Sequence, residues 1–277
     1  MRRLLPLLVI VLAGCAGRPR REAPPAPAAP PPTAAVTEAV PQPEARSAHG
    51  NPPFYDVNGQ RYVVLANADG FVERGVASWY GPDFHGKNTA SGERYDMYAM
   101  TAAHRTLPIP CYARITNLSN GRSVIVRIND RGPFASNRIV DLSYSAATKL
   151  DIVRHGTAFV ELRTVDTLTD AAAAATEAPP PPAPQPPAVS APGPLEPTAP
   201  LALYVQVGAF ADPANAQRVL ARLQSAQITN AFVVTTGNAA HPLQRVRVGP
   251  VATVDQFDQL VAQLGTLGYS EARLATD

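Results

Sequence analysis

Lysine, cysteine and tryptophan are nearly absent from this 277-residue chain. Of its 24 basic residues only Lys87 and Lys149 are lysines, and it has two cysteines and one tryptophan. Cys15 and Cys111 lie far apart in different surroundings, which argues against a disulfide framework and against a Cys-based metal site. The five histidines are scattered and no HExxH occurs, so no metal triad is indicated, and no organic cofactor is implied. No apolar run reaches the roughly 18 residues of a membrane-crossing helix, which excludes a polytopic membrane protein. Excess positive charge is missing too. Twenty-four basic against 22 acidic residues leave a net charge of +2, not the footprint of a nucleic-acid binder.

Proline is what the chain has in excess. Of its 30 prolines, 11 fall in residues 19–53 and 11 in residues 179–200. Tracts this rich in Pro and Ala cannot bury a core and read as extended spacers. They divide the chain into a leader (1–14), a tether (15–53), a middle block (54–166), a linker (167–200) and a C-terminal block (201–277), and they exclude a single large enzyme fold. At about 3.1 Å per residue, a 35-residue spacer reaches at most about 110 Å.

The first 15 residues combine a basic start, a short apolar stretch and small residues before a cysteine, the pattern of an export signal. Leu12-Ala13-Gly14-Cys15 resembles the bacterial lipobox. That resemblance implies a lipid anchor on Cys15, and several acyl chains on one residue anchor stably where one would be marginal. Ala16 and Gly17, with no Asp, resemble the pattern of outer-membrane lipoproteins facing the periplasm.

In the middle block, residues 75–81 read as a strand closed by Gly81-Pro82, and residues 83–93 as a polar, glycine-rich loop. Residues 99–105 suggest one or two helical turns before Pro108. Residues 112–118 and 122–128 flank Asn120-Gly121, a hairpin signature. Residues 139–142 read as a strand, Ser143 as the cap of a helix to Leu150, and 157–165 as a last strand. About six short strands with two short helices suggest a small closed β-barrel. Asp130 ends a strand in a tight Gly/Pro turn that fixes its carboxyl, and desolvation there would raise its pKa. An Asp in Asn-Asp-Arg-Gly also organises its own turn or pairs with Arg131, and the residues alone leave this open. Glu93 lies on the polar loop, where a carboxyl meets substrate more readily than core. His104 is a further acid/base or hydrogen-bonding candidate. Trp79 and Tyr80 suit stacking on sugar rings, although either also suits a core. Asp141, just before the capped helix, reads as a cap or an ion-pair residue.

Ala77-Ser-Trp-Tyr-Gly81, Phe84-His-Gly86, Thr89-Ala-Ser-Gly-Glu93, Thr101-Ala-Ala-His104, Leu107-Pro108, Asn129-Asp-Arg-Gly-Pro-Phe134 and Asp141-Leu-Ser143 together resemble the rare lipoprotein A family across the whole block. The resemblance implies a double-psi β-barrel with lytic transglycosylase activity on peptidoglycan. It places the family's proposed catalytic Glu, His and Asp on Glu93, His104 and Asp130; Trp79, Tyr80 and Arg131 are the candidate substrate contacts of the barrel.

The C-terminal block reads βαββαβ: a strand at 203–210, a helix begun by Asp212-Pro213, strands at 231–236 and 243–248, a helix capped by Thr253, and a strand near 270–275. This order suggests an α+β layer with four antiparallel strands and one free face. Tyr204-Val-Gln-Val-Gly-Ala-Phe210 and Arg245-Val-Arg-Val-Gly-Pro250 resemble the SPOR domain, which implies binding of glycan strands stripped of stem peptides at division sites. Simple alternation places Tyr204, Gln206 and Gly208 on the open face, with Arg245 and Arg247 beside Gln206, and Val205, Val207 and Ala209 towards the helices.

The sequence therefore points to a septal, lipid-anchored endolytic transglycosylase whose partners are the glycan strands, the membrane and septal-ring proteins. The rival reading is a non-catalytic wall-binding or wall-loosening lipoprotein, because a fold alone does not establish activity.

Overall fold

A computed structural model describes residues 37–165, 202–238 and 241–276. The leader, Cys15, the first part of the tether and the linker from 166 to 201 lie outside the described residues.

The middle block begins with a hairpin of β1 (Phe54–Val57) and β2 (Gln60–Val63). Its turn is Asn58-Gly59, both at positive φ (53° and 78°), the two-residue geometry whose twist matches antiparallel strands. Next come β3 (Val72–Trp79), β4 (Thr101–His104), β5 (Cys111–Asn117), β6 (Ser123–Asp130), β7 (Arg138–Leu142), helix α1 (Tyr144–Lys149) and β8 (Ala158–Thr164). The six strands β3–β8 close into a barrel in the order β3-β7-β4-β6-β5-β8. The β3–β7 and β4–β6 pairs are parallel and the rest antiparallel, as expected for a double-psi barrel. Ala77, Ile115, Val126, Ile128, Val140, Leu142 and Leu162 are buried in its core. Each large aliphatic side chain so buried contributes about 1.5–3 kcal/mol.

Two expectations are corrected here. Residues 101–104 form a strand rather than helical turns. Ala102 and Ala103 are buried between β6 and β7, where parallel and antiparallel pairing on either side outweighs local helix propensity. The second correction concerns the end of the tether, which lies on the barrel as a strap. The Ala39 amide donates to Ile125 O and the Ser47 amide to Ile109 O, while Glu44 pairs with Arg127 at 2.7 Å. The Asn51 side chain both donates to and accepts from the Ile109 backbone.

The β5–β6 connection is a five-residue loop, 118–122, in which Gly121 takes a φ of 72°. Ser143 caps α1 by accepting from the Ala146 amide. Asp141, one of the two cap candidates, plays no part in that cap.

The C-terminal block contains β9 (Leu203–Phe210), α2 (Pro213–Ser225), β10 (Ala231–Asn238), β11 (His241–Val248), α3 (Val254–Thr266) and β12 (Arg273–Thr276). Its antiparallel sheet has the order β10-β11-β9-β12. Asp212 and Thr253 cap the two helices through their side chains. The apolar stripe Ala216, Leu223, Phe257, Val261 and Leu264 packs with Leu203, Val205, Val246 and Val248.

Candidate active site and glycan-binding face

Asp130 closes β6, and the following turn decides how its carboxyl is used. Oδ1 accepts two backbone amides, from Ala90 and Arg131, each at 2.7 Å, and Oδ2 accepts the Tyr80 hydroxyl at 3.2 Å. Burial outweighs these bonds and pushes the Asp130 pKa above its ordinary value. Gly132 makes the bend possible with a φ of 136°, which a side chain rarely adopts.

A second half-buried carboxyl stands close by. Ala103 on β4 pairs with Asp130 on one side and with Asp141 on the other. Asp141 accepts the Ser78 hydroxyl, and its pKa is raised by burial, with a smaller contribution from the charge of Asp130. Asp141 thus belongs to this site, which its position before a helix cap did not suggest. No local signal marks it, because its partner Ser78 lies 63 residues earlier and is brought beside it only by the β3–β7 pairing.

Glu93 has the opposite chemistry. Arg127 donates to both of its oxygens, at 2.8 and 2.9 Å, and the Asn129 amide donates at 2.9 Å. The Arg127 bonds, foremost, hold its pKa below the usual carboxylate range. Asn129 and Asp130 are neighbours on β6 and point to opposite faces, so one strand end positions both carboxylates. The loop 88–94 completes the arrangement, with the Ser91 amide donating to Asn129 O at 3.3 Å.

His104 is not placed with this pair. Its ring is buried edge-on to Phe71, and Nδ1 accepts the Thr106 and Leu107 amides at 3.2 and 3.1 Å. The proton therefore sits on Nε2, 3.0 Å from a Glu73 oxygen. Burial lowers its pKa and keeps it neutral. Of the two roles open to His104 in the sequence, this placement fits the hydrogen-bonding one, which holds Glu73 and the 106–107 backbone, rather than proton exchange with substrate.

Arg131 is likewise engaged elsewhere. Its guanidinium donates to the backbone oxygens of Gly50, His104 and Leu107 and to Asn51 Oδ1, using four of its five N–H groups. It ties the strap to the barrel, and a sugar contact through this side chain does not fit. Tyr80 touches Asp130 directly and stacks obliquely on Tyr95 and the exposed Phe84. Trp79 is half-buried, edge-on to Tyr144. Cys111 is a largely buried thiol raised to about 12 by burial.

On the C-terminal sheet the simple alternation breaks. A β-bulge places both Val207 and Gly208 opposite Val246, so beyond Gln206 the faces exchange: Gly208 and Phe210 turn towards the helices and Ala209 turns outward. Gln206 and Arg247 are buried, which corrects their assignment as open-face contacts. Gln206 Oε1 accepts from Arg245 at 3.0 Å, and Arg245 also donates to Thr236. Arg247 lies over the Tyr204 ring, which meets Phe232 edge-on.

A closed barrel of this topology joined to an antiparallel α+β sheet domain defines a class of two-module proteins. Residues 72–162 match the lytic transglycolase family and residues 202–274 the SPOR domain. The chain is 38% identical over 275 residues to the endolytic peptidoglycan transglycosylase RlpA of Vibrio cholerae, covering 98% of this chain and 95% of that one. It is 38% identical over 272 residues to the protein of the same name from Pseudomonas aeruginosa, covering 83% and 79%. The Neisseria meningitidis protein of that name is 57% identical over 111 residues, 40% of this chain and 46% of that one. The chain belongs to the RlpA family.

Proposed function

We propose that the protein is an endolytic peptidoglycan lytic transglycosylase that cleaves between N-acetylmuramic acid and N-acetylglucosamine and leaves a 1,6-anhydro ring. The observation that carries this reading is the Asp130 carboxyl, half-buried, raised in pKa and presented through one oxygen. With Oδ1 occupied by two amides, Oδ2 is the oxygen left to carry the proton. Asp130 donates it to the glycosidic oxygen as that bond breaks. The muramic acid 6-hydroxyl then attacks the anomeric carbon of the oxocarbenium ion and returns its proton to Asp130. No water enters as nucleophile, so one carboxyl serves as acid and then as base. Glu93, held ionised, offers negative charge to the developing cation.

Under the same proposal the SPOR block concentrates the protein on strands without stem peptides at the division septum. A lipid on Cys15 would hold it to the outer membrane from the periplasmic side. Two attachments make the encounter effectively intramolecular, so modest affinity at each suffices. The family likeness supports this reading.

The test is digestion of intact sacculi and of stem-stripped glycan by the full chain, with mass spectrometry for 1,6-anhydro ends. New ends on stripped glycan support the enzyme. Binding without new ends would establish the wall-binding alternative instead.

A further inference from the structure

The β1–β2 hairpin precedes the matched lytic transglycolase segment, and none of the proposed chemistry uses it. Its register pairs Tyr55 with Tyr62, so both side chains leave the same face. The two rings stack at 5.4 Å, and both pack on Phe134, at 6.2 Å edge-on and 5.8 Å tilted. Phe134 follows the Asp130 turn by four residues and is still 39% exposed. A ring that only filled the gap between hairpin and barrel would be covered.

The cluster is fixed in place. The Tyr55 hydroxyl donates to Arg105 O at 2.7 Å, the Val64 amide to Pro53 O at 3.1 Å and the Leu65 amide to Thr106 O at 2.8 Å. It also adjoins the acidic site. A Cβ built on Gly132 would lie 4.0 Å from the Phe134 ring and 4.0 Å from Asp141 Oδ2, so ring and carboxylate border the same bend. The Tyr55 hydroxyl, raised in pKa chiefly by burial, also feels the charge of Asp130.

We propose that Phe134, backed by Tyr55 and Tyr62, is a saccharide subsite of the cleavage site, stacking on a sugar of the same glycan strand beyond the bond that breaks. This rests on the proposed activity. An enzyme cutting inside a polymer holds sugar units on both sides of the scissile bond. A rigid, half-open aromatic ring beside the acid suits the apolar C–H face of a pyranose. The ring carries no hydrogen-bonding group, so it supplies grip and register without selecting a particular substituent. Tyr80, which contacts Asp130, and Phe84, which packs on Tyr80, are the aromatic groups left for the sugars nearer the scissile bond.

Two measurements on the full chain test the subsite. In the first, kcat/KM is measured on stem-stripped glycans of defined length. Phe134→Leu keeps apolar packing against Tyr55 and Tyr62 but removes the ring. It should lose about tenfold on long strands and little on the shortest cleavable ones, and Phe134→Trp should restore the difference. An equal loss at all lengths, or no loss, overturns the subsite. The second needs no turnover: peptide-resolved hydrogen exchange of Asp130→Asn, and of wild type with limit-digest glycan. Glycan should protect residues 53–64 and 132–137, and Phe134→Leu should abolish that protection. Protection without any anhydro ends would keep the subsite and remove the enzyme reading. Anhydro ends without protection would remove the subsite and keep the enzyme.

Discussion

The Tyr80 hydroxyl stands 3.2 Å from Asp130 Oδ2, while backbone amides occupy Oδ1. One oxygen is thereby assigned to holding the turn and the other to chemistry. Asp130→Asn should keep the turn, because the amide oxygen can still accept both N–H groups. It should lose the proton relay, with anhydro-end formation falling by about 10²–10⁴. A variant that keeps near-wild-type rates would remove Asp130 from the mechanism.

The same contact sets a pH dependence. The acid works only while protonated, so activity is present below the folded-state pKa of Asp130 and falls as pH rises through it. The Tyr80 bond favours the carboxylate and opposes the rise caused by burial. Tyr80→Phe should therefore move the alkaline limb of kcat to higher pH. A limb that stays put, or moves down, contradicts the assignment of Oδ2 as proton carrier.

Glu93 should behave differently. Arg127 holds it ionised, so it contributes charge and no proton. Glu93→Gln should lower kcat while leaving the Asp130 limb at its original pH. Should that limb disappear in Glu93→Gln, the acid role would pass from Asp130 to Glu93.

Burial of His104 links it to stability rather than to turnover. Its folded pKa lies below the ordinary 6.5. Above that value the ring is neutral in both states. Below it the unfolded chain binds a proton that the folded chain resists, so stability falls as pH drops from about 6.5 towards the folded pKa. Thermal unfolding of wild type and His104→Gln, compared between pH 7 and 5, should show a shallower acid loss in the variant. Equal slopes would mean that the ring titrates alike in both states.

On the SPOR sheet Arg245 is the group to remove, since it is partly exposed and covers Gln206. Arg245→Ala should weaken binding of stem-stripped glycan by roughly 10-fold or more, the scale of a lost charged hydrogen bond. Cleavage of short soluble glycans should not change. Unaltered binding in a sedimentation assay would move the glycan contact off this face.

Local chemistry explains what could be read from the chain beforehand. Ser143, Asp212 and Thr253 signal helix starts because a cap is made within three residues, and Asn120-Gly121 marks its loop for a similar reason. Asn58-Gly59 carried the same signal for the β1–β2 hairpin, and only the neighbouring prolines disguised it. Residues 101–104 were not legible as a strand, since two alanines favour a helix until β6 and β7 enclose them. The Val207 bulge defeats any period-two reading, because alternation cannot register an inserted residue. Among site residues, Asp130 and Glu93 were legible as carboxyls in polar turns. That Arg131 would be consumed by the strap was not, since its partners Gly50 and Asn51 lie some 80 residues earlier.

The strap has a mechanical consequence. Arg127 grips Glu44 on the strap with one part of its guanidinium and Glu93 with another. A pull on the chain from its N-terminal side loads the single Ala39–Ile125 bond and then the Glu44 contact, before it reaches the Ser47 and Asn51 bonds to Ile109. If the Glu44 contact opens, Arg127 belongs to Glu93 alone. Tension in the tether and the charge beside the cleavage site are thus coupled through a single side chain.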